Sequence, residues 1–122
     1  AKYFVEQTGV NALAVAIGSA HGFYKKEPKL DLERLEQIHA ITDAALVLHG
    51  GSGIPANTLK EAIKRGICKI NLATEIKNIF MATLKECIVS SDEIDLRKVF
   101  PPAIHAVTHL VKEKLEIVKN VS

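Results

Sequence analysis

Three short, nearly all-apolar runs recur along the chain, each separated from the next by a segment with helical patterning. Residues 12–17 (ALAVAI) stop at Gly18, residues 45–48 (ALVL) stop at His49, and residues 67–72 (ICKINL) lead into Ala73 and Thr74. Runs of this length without polar alternation suit strands covered on both faces, the condition of a parallel sheet. Parallel neighbours need a crossover between them, and here each crossover reads as a helix.

The helical segments follow from apolar spacing and end signals. Asp31 is the expected N-cap of a helix whose inner face is Leu32, Leu35, Ile38 and Ile41. Residues 57–65 bury Leu59, Ala62 and Ile63 and stop at Gly66, a C-terminal glycine. Residues 74–88 carry Ile76, Ile79, Phe80 and Leu84 on one side. After the polar break Ser90, Ser91 and Asp92, Pro101 and Pro102 open a last helix over 101–120 with the stripe Ile104, Val107, Val111, Leu115 and Val118. Residues 3–7 read as the tail of one more helix ahead of the first strand. The predicted order is helix, strand, helix, strand, helix, strand, helix, helix: a βαβαβα series and a single α/β unit over residues 1–122.

Composition narrows the functional classes. A length of 122 residues suits one domain, and 48% hydrophobic with 25% charged residues is a globular balance. Net charge is +2 and the lysines share their helices with glutamates, which describes a solvated face and points away from nucleic acid. The longest uncharged apolar stretch, residues 10–20, is too short for a membrane span, and no signal-like N-terminal segment is present. The expectation is a cytoplasmic protein without a membrane partner. Cys68 and Cys87 sit among apolar residues without metal-type spacing and are expected to be two buried thiols in a reducing compartment.

In a βα series the loops that follow strands gather at one edge of the sheet. All the chemically unusual residues fall on that edge, where such folds place ligands: His21–Gly22 after the first strand, His49-Gly50-Gly51-Ser52-Gly53 after the second, and Asn71-Leu72-Ala73-Thr74 after the third. Imidazoles from adjacent strand ends can converge on one Zn²⁺. The competing reading of each is a hydrogen-bonded structural histidine. The glycine–serine segment and the Asn71–Thr74 turn each open a helix, so their N–H groups make a candidate anion site. The competing reading there is turn glycines with Thr74 as an N-cap. His105 and His109 share a face of the last helix but enclose no glutamate, so they lack metalloprotease spacing and read as surface residues. His39 receives no functional role.

Together, "TGVNALAVAIGSAHGFYKKEPKLDLERL", "LVLHGGSGIP" and "KINLATEIK" resemble the C-terminal portion of the class II, zinc-dependent ketose-bisphosphate aldolases that act on fructose or tagatose bisphosphate. The resemblance implies a (β/α)₈ barrel of which about three strands, their helices and an extra C-terminal helix are present. It implies that His21 and His49 are two of three zinc ligands, and that Gly22, Gly50, Gly51, Ser52, Asn71, Leu72, Ala73 and Thr74 contact the dihydroxyacetone phosphate moiety. The implied cofactor is Zn²⁺, with a monovalent cation such as Na⁺ or K⁺ as a second candidate. The implied reaction is reversible aldol cleavage to dihydroxyacetone phosphate and glyceraldehyde 3-phosphate, and Ala73 leans towards tagatose-type members.

The third zinc histidine and the acid–base carboxylates of that family have no counterpart in the chain. They are expected in an N-terminal half of the same barrel, so no catalytic residue is assigned here. The expected partners are that N-terminal half and, around the completed barrel, the subunits of a homodimer or homotetramer. Alone, the chain is expected to be inactive and to leave Ile17, Val47 and Ile70 or their neighbours wet. The alternative is a non-catalytic phosphosugar-binding module or an inactive fragment.

Overall fold

The computed structural model describes residues 1–22, 24, 28–119 and 121. Its sheet has three parallel strands, β1 (Ala12–Ala14), β2 (Ala45–Leu48) and β3 (Ile67–Ile70), in the order β1-β2-β3. Around it lie α1 (Lys2–Thr8), α2 (Leu32–His39), α3 (Ala56–Lys64), α4 (Thr74–Ser90), α5 (Leu96–Val99) and α6 (Pro101–Lys119). The predicted alternation holds. The short helix α5 is an addition, capped by Asp95, whose side chain accepts the Arg97 N–H. Asn120, the last residue assigned to the final helix from sequence, lies outside the described residues. No helix among the described residues is long and apolar enough to cross a membrane.

Local chemistry sets the boundaries. Asp31 caps α2 as expected, its Oδ1 accepting the Arg34 N–H at 2.9 Å, and that bond holds its carboxyl below the usual carboxylate range. The strand β1 ends at Ala14, short of Ile17, because the chain peels away from β2 and the Ile17 carbonyl instead accepts the Asp31 N–H at 2.9 Å. Gly18 sits at that departure with φ 95°, and a Cβ there would lie 2.7 Å from the Lys29 carbonyl oxygen. Only a glycine allows the two segments to come so close.

Leu35, Leu46, Leu48, Leu59 and Ile17 are fully buried and form the core with Leu30, Ile54, Ala62 and Ile67. Each such large side chain contributes about 1.5–3 kcal/mol on burial. The core lies between the sheet and α2 and α3, so one side of the sheet is closed.

Several expectations need correction. Of the residues expected to be wet, Ile17 and Val47 are buried, Ile17 because the departing chain after β1 folds it into the core; Ile70 is half-buried, and it is neighbours such as Ala16 and Lys69 that are exposed. The central strand β2 is covered on both faces, with Leu46, Val47 and Leu48 all buried, but its neighbours are not: Ala12 and Ala14 of β1 and Cys68 and Lys69 of β3 are exposed. Cys68 is therefore not a buried thiol, and Cys87, on the outer part of α4, is only half-buried. The β2–β3 register pairs Leu46 with Ile67 and Val47 with Lys69, so Cys68 is the extra residue of a bulge. Ile41 falls beyond the end of α2 and is exposed.

The helix α6 is rotated from the face read in the sequence. It packs on α4 and α3, with Ala103 fully buried and Leu110, Lys114 and Ile117 half-buried, while Ile104, Val111, Leu115 and Val118 stay exposed. Two apolar stripes run side by side along this helix, and the one containing Ala103 wins because alanine permits the closer approach. The exposed stripe borders an apolar groove of about 310 Å³ between α6 and the open edge of β3, lined by Ile63, Ile67, Cys68, Ile70 and Leu72 among others.

Candidate metal and anion site

The histidine loops meet. His49 follows directly on β2 and His21 follows the departing end of β1, and their ring centres lie 5.5 Å apart with a 34° tilt. Both side chains are exposed at the C-terminal edge of the sheet. Two imidazoles on one tetrahedral Zn²⁺, with Zn–N of about 2.0–2.1 Å, have ring centres roughly 5 Å apart, so the pair fits two positions of a zinc site. No group of three histidine, cysteine or carboxylate side chains able to hold a metal occurs among the described residues.

A residue without a sequence signal joins these loops. The Tyr24 hydroxyl accepts the Ala20 N–H at 2.9 Å and donates to the Gly50 carbonyl at 2.9 Å, tying the residue before His21 to the residue after His49. Gly50 makes the approach possible: its φ is 65°, and a Cβ there would fall 2.2 Å from the Ala20 carbonyl oxygen.

The glycine–serine segment is fastened to the third loop. The Gly51 N–H donates to the Asn71 carbonyl at 3.0 Å, and the Asn71 N–H to the Leu48 carbonyl at 2.9 Å. A Cβ on Gly51 would lie 2.6 Å from Ile70 Cγ2. Ser52 is buried, and its Oγ accepts the N–H groups of Ala73 and Glu75 at 3.4 and 3.3 Å. The N-cap position of α4 belongs to Ala73, not Thr74, and Ser52 serves the helix start from another loop. With both lone pairs engaged, the Ser52 hydroxyl keeps one proton to donate. Glu75 Oε1 accepts the Gly53 N–H and Oε2 pairs with Lys114 of α6 at 2.7 Å.

The arrangement thus brings His21 to His49, Gly50 to the His21 loop, and Gly51 and Ser52 to Asn71, Ala73 and the start of α4. Gly22 is half-buried at φ 95° with open space where a Cβ would stand. Asn71, Leu72 and Thr74 are half-buried and Ala73 is exposed, all at the same edge. The rival pair on α6 behaves as surface: His105 and His109 are exposed, and His109 lies 3.4 Å from Glu113. Tyr24, Glu75 and Lys114 were not singled out by spacing, since their partners are far away in sequence.

Three parallel strands with their helices, and the unusual residues gathered at the strands' C-terminal ends, form part of a (β/α)₈ barrel, the fold that carries its active sites at that edge. The chain matches the family model of class II fructose-bisphosphate aldolase over residues 1–122, and it belongs to that family. Among solved structures it is similar to the YdjI aldolase of Escherichia coli K12, with 36% identity and a TM-score of 0.80 over 95% of this chain and 41% of that one. The fold is shared with a putative fructose-1,6-biphosphate aldolase from Coccidioides immitis (24% identity, TM-score 0.87, 99% of this chain and 42% of that one). A fructose-bisphosphate aldolase from Campylobacter jejuni shares it too (20% identity, TM-score 0.77, 97% and 43%). The chain therefore spans about two-fifths of each of these structures and corresponds to the C-terminal portion of their barrels.

Proposed function

We propose that this chain supplies two zinc ligands, His21 and His49, and the phosphate-binding loops of a class II aldolase that reversibly cleaves a ketose 1,6-bisphosphate, of fructose or tagatose, to dihydroxyacetone phosphate and glyceraldehyde 3-phosphate. The carrying observation is the approach of the two imidazoles to 5.5 Å beside a glycine loop that is braced on the start of α4. Held there, Zn²⁺ supplies Lewis-acid polarisation of a ketone. The chain's own residues bind and orient: Gly50, Gly51 and the Ser52 hydroxyl face the phosphate end, with the α4 start at Ala73 and Thr74 adding its dipole. Gly22, Asn71 and Leu72 complete the contact surface on this reading.

The remainder of the barrel would bring the third zinc ligand and the acid–base carboxylates. Three strands against the eight of a complete barrel, the open edge of β3 and the uncovered groove beside α6 support such a partner. On this reading residues 1–122 are one part of a single barrel domain in a cytoplasmic, oligomeric enzyme.

The test is cleavage assayed in the completed barrel and in the 122-residue chain alone. Turnover is expected only in the completed barrel, lost on chelation and restored by Zn²⁺. Turnover by the isolated chain, or turnover that survives removal of all metal, overturns the reading.

A further inference from the structure

Glu75 holds three elements at once. Its N–H donates to Ser52 Oγ, its Oε1 accepts the Gly53 N–H, and its Oε2 lies 2.7 Å from Lys114 Nζ on α6. Oε2 is buried, and its contact with Lys114 is charge to charge, outside hydrogen-bond geometry. The two side chains are only 20% and 18% exposed. A buried carboxylate oxygen is costly unless a cation faces it, so the position of Glu75 depends on Lys114.

We propose that Glu75 and Lys114 are positioning residues for the phosphate end of the substrate: Lys114 fixes the Glu75 carboxylate, and Glu75 fixes the Ser52–Gly53 turn. This rests on the anion-binding reading of that turn. The two consecutive loop residues are held by one side chain and its own backbone, so they move as that side chain moves. Loss of the Lys114 charge strands the carboxylate. It then leaves for solvent and frees the Gly53 N–H, or stays and repels the incoming phosphate. Either outcome weakens anion binding without touching the histidines. A neutral glutamine at the same position still offers an oxygen to Gly53 and carries no charge to strand.

The experiment compares Lys114→Met, Glu75→Gln and the double variant in the completed barrel. It reads inorganic phosphate affinity, zinc content and amide hydrogen exchange at Gly53. Lys114→Met is expected to weaken phosphate binding about tenfold, the loss of one well-placed charge-assisted contact, and to speed exchange at Gly53. Glu75→Gln alone is expected to do the same more mildly, because its amide meets the Lys114 ammonium donor to donor. The double variant recovers most of both, with zinc content constant throughout. A double variant as weak as Lys114→Met, or a Lys114→Met protein with unchanged affinity and a protected Gly53, overturns the proposal. Should Lys114→Met fail to fold, Lys114→Arg must keep phosphate affinity while Glu75→Gln exchanges faster at Gly53 than the wild type; loss of affinity in Lys114→Arg, or unchanged exchange in Glu75→Gln, overturns it. Failure of the wild-type protein to bind phosphate refutes the anion reading itself, and exchange at Gly53 then still decides whether the clasp exists.

Discussion

The Tyr24 hydroxyl donates to the Gly50 carbonyl at 2.9 Å across 26 residues of sequence. The same oxygen accepts the Ala20 N–H, so one phenol spans the two loops that carry His21 and His49. The backbones on either side of the imidazole pair are therefore tied together by a side chain from outside the pair. Tyr24→Phe keeps the ring against Gly53 and removes only the bridge. Stability should fall by about 1 kcal/mol, and zinc affinity of the completed barrel should drop with it. Thermal melting and metal titration check this; unchanged zinc affinity would show that the histidines are positioned independently.

His21→Ala and His49→Ala should each abolish zinc-dependent turnover in the completed barrel. Exposed as they are, neither histidine contributes much packing, so folding should survive both changes. Metal analysis decides the matter, since a structural histidine would leave the zinc in place. A full complement of zinc in either variant removes that residue from the ligand set.

Gly50→Ala and Gly9→Ala form a controlled pair. Both glycines have φ near 65°, but nothing stands within 4 Å of a Cβ on Gly9, whereas one on Gly50 meets the Ala20 carbonyl oxygen at 2.2 Å. Gly9→Ala should cost only the left-handed conformation, about 1–2 kcal/mol. Gly50→Ala must also push the His21 loop away, and should lose zinc binding while Gly9→Ala keeps it. Equal effects on zinc would mean that the close approach at Gly50 plays no part in the site.

Ser52→Ala and Thr74→Ala should weaken binding of dihydroxyacetone phosphate, each by a charge-assisted hydrogen bond of about 1.5–3 kcal/mol. Ser52→Ala should in addition cost about 1 kcal/mol of stability, because the N–H groups of Ala73 and Glu75 lose their acceptor. Neither variant should change zinc content. Isothermal titration with parallel metal analysis separates the effects, and loss of zinc with intact substrate affinity would reverse the roles given to the two loops.

The parts of the molecule that were legible in the sequence are those decided locally. Apolar runs marked where the strands lie, Asp31 marked the start of α2, and His21, His49 and the glycines beside them gathered at one edge because the topology leaves them no other. What escaped were decisions between distant residues. Nothing near Tyr24 announces that its hydroxyl will reach Gly50, and Lys114 looks like any solvated lysine until α6 lays it against Glu75. The rotation of α6 was hidden for a related reason. Periodicity shows that a helix has an apolar stripe, but two adjacent stripes compete here, and only the neighbour's surface chooses between them.

The bulge in β3 has a practical side. By dropping out of register, Cys68 leaves its thiol exposed on the wall of the groove, donating only to the Gly66 carbonyl at 3.5 Å. The molecule therefore carries a built-in reporter at its unfinished edge. A small alkylating reagent should modify Cys68 quickly while that edge stands open and slowly once another strand and helix lie across it, with half-covered Cys87 as the internal reference. The rate of that one labelling reaction would follow the completion of the barrel in time, before any substrate is added.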